Sequence, residues 1–161
     1  MTPSPRFADR LAPSRRSLIL AVPSLALASP VLAAPTTRAL TVYKTPWCGC
    51  CGAWVEHMTA AGWTATVREL EDLAPVRRRY GVPDALASCH TGVVGSYALE
   101  GHVPAEDVAR LVRDRPDARG LTVPGMPLGS PGMPAPADRA QAYQTLLILK
   151  DGTTRVFARH G

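Results

Sequence analysis

From residue 40 onward the apolar positions change their period several times, and each change marks an element. Leu40-Thr41-Val42-Tyr43 alternates as a short strand. The stretch Gly52 to Ala61 is helical, with Val55, Met58 and Gly62 at inward-facing spacing. A β-rich stretch from Trp63 to Leu70 follows, then a short helix from Pro75 to Tyr80 closed by Gly81. Thr91 to Val94 and Tyr97 to Glu100 read as two strands around Gly95-Ser96. A helix from Pro104 to Arg113 comes next, with Val108, Leu111 and Val112 facing inward. The order is βαβαββα.

Beyond that helix the pattern breaks. Residues 115–136 are crowded with proline and glycine and carry an exact repeat, Pro124-Gly125-Met126-Pro127 and Pro131-Gly132-Met133-Pro134. A long loop without its own secondary structure is uncommon inside a compact domain unless it is functional or disordered. Periodicity returns from Ala142 to Leu149 and from Thr154 to Ala158, around Lys150-Asp151-Gly152-Thr153, a strong signal for a C-terminal β-hairpin. The loop is therefore bracketed by structure and expected to be held over something. The element order resembles a thioredoxin-like α/β domain, whose reactive cysteines sit where the first strand meets the first helix.

The N-terminal fifth has another character. Arg6, Arg10, Arg15 and Arg16 precede an apolar run from Leu18 to Ala28, and Val31-Leu32-Ala33 supplies small residues for a cut after Ala33. This reads as a secretory signal peptide over residues 1–33, leaving one domain at 34–161. The apolar run, broken by Pro23, is too short for a membrane span of about 20 residues. Ser14-Arg15-Arg16-Ser17-Leu18-Ile19 also resembles a twin-arginine signal. Cleavage removes four arginines and Asp9, which leaves 14 basic and 12 acidic residues, so the net charge of +5 falls to +2. With no aromatic-studded basic stripe, and with Arg77-Arg78-Arg79 reading as a solvated helix face, nucleic acid is not the expected partner.

Chemistry concentrates in the cysteines. Cys48, Cys50 and Cys51 lie within four residues, which span at most about 14 Å, so they share one site. Cys48 and Cys51 form C-x-x-C near a helix N-terminus, where the dipole favours thiolate. Cys50 departs from a plain redox pair, because a third thiol invites misdirected disulfides and helps a metal site more. Cys89 reaches the same place through the hairpin. A two-residue Gly95-Ser96 turn pairs Val94 with Tyr97 and sets Cys89 opposite His102, whereas a three-residue loop sets His90 there. Either way Cys89, His90 and His102 gather at one end of the hairpin. The resemblance to a thioredoxin-like domain implies that this end of the third strand lies beside the reactive cysteines, so the four sulfurs are expected to converge. Such a donor set selects soft cations, Cu(I) foremost, then zinc and iron-sulfur clusters. Zinc fits adjacent cysteines poorly, and iron-sulfur cysteines follow other spacings. Four thiolates with about four Cu(I) ions would be neutral, which avoids burying net charge.

Four ordered segments carry a resemblance over about residues 40 to 157: Tyr43-Lys44-x-Pro46-x-Cys48-Gly49-Cys50-Cys51, Ser88-Cys89-His90-Thr91, Glu100-Gly101-His102-Val103-Pro104-Ala105, and Val123-Pro124-Gly125-Met126-Pro127-x-Gly129-Ser130-Pro131-Gly132-Met133. Together they resemble the bacterial copper-resistance CopG-type metal-binding family. The resemblance implies a thioredoxin-like fold, an extracytoplasmic location and a cysteine-bridged Cu(I) cluster, with Cys48, Cys50, Cys51 and Cys89 as matching ligands.

Other residues keep plainer readings beside functional ones. Met126 and Met133 are thioether ligands, a lid, or ordinary gap fillers. His90 and His102 are metal ligands or supports at the site. His57 reads as a solvated surface residue, His160 as a fraying terminus, Met58 as core, and Trp47 and Trp54 as packing around the cluster, with Trp47 alternatively a shield that keeps water from it. The leading expectation is a periplasmic Cu(I)-binding protein of copper resistance that sequesters copper or hands it to periplasmic efflux or chaperone proteins. A change in copper's oxidation state is a further expectation. The alternative is a thiol-disulfide oxidoreductase using Cys48 and Cys51, and a third reading makes the four cysteines two structural disulfides.

Overall fold

The computed structural model describes residues 38–161, so the expected signal segment lies outside the described residues. Leu40 and Val42 alternate into the interior from β1 (Ala39–Lys44). A parallel partner, β2 (Thr64–Glu69), flanks β1 on one side and an antiparallel β3 (His90–Val94) on the other. β4 (Tyr97–Gly101) pairs with β3, and β5 (Gly120–Val123), β6 (Tyr143–Ile148) and β7 (Thr154–His160) extend one seven-stranded sheet in the order β2-β1-β3-β4-β5-β6-β7. Helices α1 (Gly49–Ala60), α2 (Ala74–Tyr80) and α3 (Ala105–Asp114) complete the βαβαββα order of the expected α/β class. Among the described residues no helix is long and apolar enough to cross a membrane.

The two faces of the sheet pack differently. Trp54 and Met58 of α1 and Val108 and Leu111 of α3 join Leu40, Val42, Leu99 and Leu121 in the main core. Ala98, one residue from Leu99 and therefore on the opposite face, packs with Val82 and Ile148, against which Tyr80 of α2 leans. Gly92 of β3 lies under α1, where a Cβ would come 3.0 Å from the Trp54 ring. This close approach lets the indole, wholly buried, donate to the Val103 carbonyl at 2.9 Å.

Several expectations need correction. Helix α1 begins at Gly49, not Gly52, so Cys50 and Cys51 stand in its first turn and Cys48 is the N-cap. Its buried face is Cys51, Trp54 and Met58, while Val55 is half-buried and Gly62 falls after the helix, at φ 86. The 115–136 stretch is not all loop, because it contains β5. That strand hides in glycine-rich composition since its first residue must be glycine: a Cβ at Gly120 would fall 1.8 Å from the Ala98 carbonyl oxygen. His160 is not at a fraying end. It lies in β7, stacks on Tyr143, and its Nε2 sits 2.9 Å from the buried Asp107 carboxylate and 3.1 Å from Thr145 Oγ1. His57 is half-buried, and its Nε2 accepts the Ala105 N–H at 3.1 Å, capping α3 where Pro104 at the N-cap has no side chain to do so.

Candidate metal centre

The β1–α1 junction, the start of β3, the end of β4 and the Pro-Gly-Met loop meet at one pole. At the N-terminus of α1 the Cys48 side chain makes no capping hydrogen bond and no acidic residue occupies the first turn. The backbone N–H groups there and the helix dipole favour negative sulfur at Cys48, Cys50 and Cys51. The Cys50 Sγ lies 3.7 Å from that of Cys48 and 3.9 Å from that of Cys89. All four cysteine sulfurs lie within 4.8 Å of one another.

The hairpin register does what the two-residue turn predicts. Val94 pairs with Tyr97 and Thr91 with Glu100, which extrapolates to Cys89 opposite His102. Gly95 has φ 59 and Ser96 does not, as a type II′ turn requires. The Cys89 Sγ consequently stands 3.1 Å from His102 Nε2 and 3.3 Å from His90 Nδ1. Both rings are fully buried, and they meet edge to face at 5.3 Å.

Protonation follows from this burial. His102 Nδ1 lies 2.7 Å from the Pro131 carbonyl and must donate to it. Burial holds His102 below the usual imidazole range, so its Nε2 lone pair faces Cys89. Burial, with His102 and Arg77 nearby, pushes His90 down to about 3. Its Nε2 is buried without a partner among the described residues. Burial, then the charge of Cys50, pushes the Cys89 thiol up to about 12. Burial therefore favours the protonated Cys89 thiol in the metal-free protein.

Cys48 and Cys51 form a disulfide here, while Cys50 and Cys89 are free thiols. The structure thus holds one disulfide among the four cysteines, where the structural-disulfide expectation needs two. A four-thiolate site needs this disulfide reduced by two electrons, which returns Cys48 and Cys51 as thiols.

Both copies of the repeat reach the site. Met126 places its Sδ 4.0 Å from Cys50 Sγ and is half-exposed at the mouth of a cavity of about 490 Å³, which Cys48, Cys50, Cys89, Glu71 and Asp72 also line. In the second copy, Pro131 anchors His102, and Gly132 presses on α1 beside the Cys50 carbonyl and Trp54 N–H. Met133 makes no side-chain hydrogen bond to the cluster among the described residues; its backbone closes the loop onto Gly129 and Ser130 instead. Trp54 packs beneath the site, 4.3 Å from the His90 ring. Trp47 does not pack: at 72% exposure it stands out at the rim.

Two residues at this pole escaped the sequence reading. Arg77 is not on a solvated face; its Nε donates to Glu100 Oε1 at 2.9 Å, and Glu100 is fully buried. Burial pushes the Glu100 carboxyl above its ordinary range, while Thr91, the Ser88 N–H and Arg77 pull it down. The available signal was a glutamate inside an otherwise apolar strand, which demands a partner.

The donor chemistry fits a soft cation: up to four thiolates, a thioether at the mouth and an oriented imidazole, with no carboxylate within the sulfur cluster among the described residues. Comparison with known proteins agrees in kind. The family described as "Protein of unknown function, DUF411" matches residues 86–133. Two solved structures of copper resistance protein CopG, Form 1 and Form 2, are each 43% identical, with a TM-score of 0.71. Each match covers 76% of this chain, with 96% and 98% of the respective structures. Among curated proteins none matches.

Proposed function

Because the chain belongs to the CopG-type copper-resistance family, we propose that it is a periplasmic Cu(I)-binding protein that sequesters copper or passes it on. Residues 1–33 act as the export signal, and residues 34–161 form the copper-binding domain. The observation that carries the reading is the convergence of four cysteine sulfurs within 4.8 Å at one pole. Cys48, Cys50, Cys51 and Cys89 bridge several Cu(I) ions once the disulfide is reduced, because bridging thiolates tolerate the adjacent pair Cys50-Cys51 better than a single tetrahedral ion does. His102 and His90 support the cluster through Cys89, and Met126 covers its mouth. Met133 serves the loop. Periplasmic efflux or chaperone proteins receive the copper.

A copper-directed redox activity accompanies binding in this reading. Oxidation of the Cys48 and Cys51 thiols to the disulfide releases two electrons and two protons and would reduce two Cu(II) to two Cu(I), removing two of the four thiolate ligands until an external thiol reductant supplies two electrons and two protons to restore them. Metal analysis after anaerobic Cu(I) loading of the reduced protein tests the binding; less than one copper per chain would end it.

The same disulfide favours the second reading, a thiol-disulfide oxidoreductase using Cys48 and Cys51. That activity survives Cys50→Ser and Cys89→Ser. If the metal-free protein fails to reduce insulin disulfides, the second reading falls.

A further inference from the structure

Ser88, the residue before Cys89, is gripped from several sides. Its N–H donates to Glu100 Oε1 at 2.6 Å, and its carbonyl accepts a hydrogen bond from Arg77 Nη2. Arg77 Nε donates to the same Glu100 oxygen, so one ion pair holds both backbone polar groups of one residue. Thr91 Oγ1 donates to Glu100 Oε2 at 2.6 Å and ties the carboxyl to β3. The Ser88 hydroxyl donates to the Gly125 carbonyl at 3.2 Å, one residue before Met126. Gly101 completes the seat, since a Cβ there would fall 2.6 Å from Ser88 Oγ.

Folding alone does not explain this arrangement. Burying an ion pair costs desolvation that its attraction barely offsets, and an apolar pair of equal volume generally folds as well or better. An apolar pair cannot, however, hold the N–H and the carbonyl of a chosen residue. Arg77 comes from α2 and Glu100 from β4, so the grip relates the Cys89 peptide to two rigid elements that carry no cysteine.

We propose that Glu100 and Arg77 are positioning residues for Cys89. By fixing Ser88 they set the separation of the Cys89 sulfur from those of Cys50 and Cys48, and through Gly125 they register the Met126 loop over the same cavity. This rests on the copper reading of the cysteines. It adds the part of the site that makes four separate sulfurs into one preformed donor set.

Two variants test it. Glu100→Gln keeps the side-chain shape but turns one acceptor into a donor; Arg77→Lys keeps the charge but loses the fork that reaches Glu100 and Ser88 together. In both, Cu(I) affinity measured against a chromophoric chelator is expected to fall about 10–100-fold, as for residues that orient metal ligands. In the metal-free, disulfide-containing protein, iodoacetamide is expected to label Cys89 faster while Cys50 keeps its rate, by peptide mass spectrometry. General loosening would raise both rates and overturn the proposal. So would a Cys89-to-Cys50 labelling ratio and a Cu(I) affinity within about twofold of wild type. If wild type takes up no copper, the copper reading fails, and the labelling ratio still decides the positioning role. If Glu100→Gln does not fold, the same two measurements on Arg77→Lys decide the question.

Discussion

The two Pro-Gly-Met-Pro copies offer an internal comparison of what the loop contributes. Gly125 and Gly132 adopt similar left-handed conformations, φ 73 and 84, so alanine at either incurs the same backbone cost of about 1 kcal/mol. Their surroundings differ. At Gly125 a Cβ meets nothing within 4 Å, whereas at Gly132 it meets Trp54 N at 2.8 Å and the Cys50 carbonyl oxygen at 2.9 Å. Both neighbours are backbone of α1 and cannot rotate away, and the shortfall from ordinary contact is roughly half an ångström or more. Overpacking of that kind adds about 1–3 kcal/mol. Gly125→Ala should therefore lose about 1 kcal/mol and Gly132→Ala about 2–4 kcal/mol of unfolding free energy. Urea denaturation of the reduced, metal-free proteins measures the difference, with the m-value checking that both remain two-state. Gly132→Ala should also weaken Cu(I) binding, because lifting the loop withdraws Pro131 from His102 and Met126 from Cys50. Equal losses in the two variants, within about 0.5 kcal/mol, would show that the loop does not rest on α1.

Three further outcomes are expected. His160→Ala should destabilise the domain by about 1–3 kcal/mol in thermal or chemical unfolding, since it leaves the buried Asp107 carboxylate and Thr145 short of a partner. In the metal-free protein, His90 is held neutral down to about 3, so the unfolded chain takes up a proton below about 6.5 that the native state refuses. Its contribution to stability is thus present above that value and lost as pH falls toward 3; comparison with His90→Asn should show a variant flatter by up to about 1.4 kcal/mol per pH unit. Trp54→Phe should cost about 1–3 kcal/mol and leave the Val103 carbonyl unpaired, with a matching loss of near-ultraviolet circular dichroism.

The parts of this fold that were legible in the sequence are those set by local rules. The Gly95-Ser96 turn has only one register once it is two residues long, and that register carries Cys89 to His102. Gly81 at φ 69 ends α2 where its type predicts. What escaped depends on distant chain segments. β5 is only Gly120-Leu121-Thr122-Val123, too short for a period, and exists because β4 and β6 flank it. Arg77, His57 and His160 read as surface residues because their partners, Glu100, the Ala105 N–H and Asp107, lie 23, 48 and 53 residues away. Trp47 shows the opposite error: a large apolar ring suggests packing, yet it stands at the rim, and apolar residues are not all inside.

The central claim is that Cys50 makes the C-x-x-C pair one side of a shared copper site. An anaerobic Cu(I) titration of the reduced protein and of Cys50→Ser, read by metal analysis and X-ray absorption, tests it most directly. The account predicts more than one copper per wild-type chain, sulfur neighbours with copper-copper scattering, and a clear drop in loading for Cys50→Ser. Less than one copper per chain, or unchanged loading in Cys50→Ser, would contradict it.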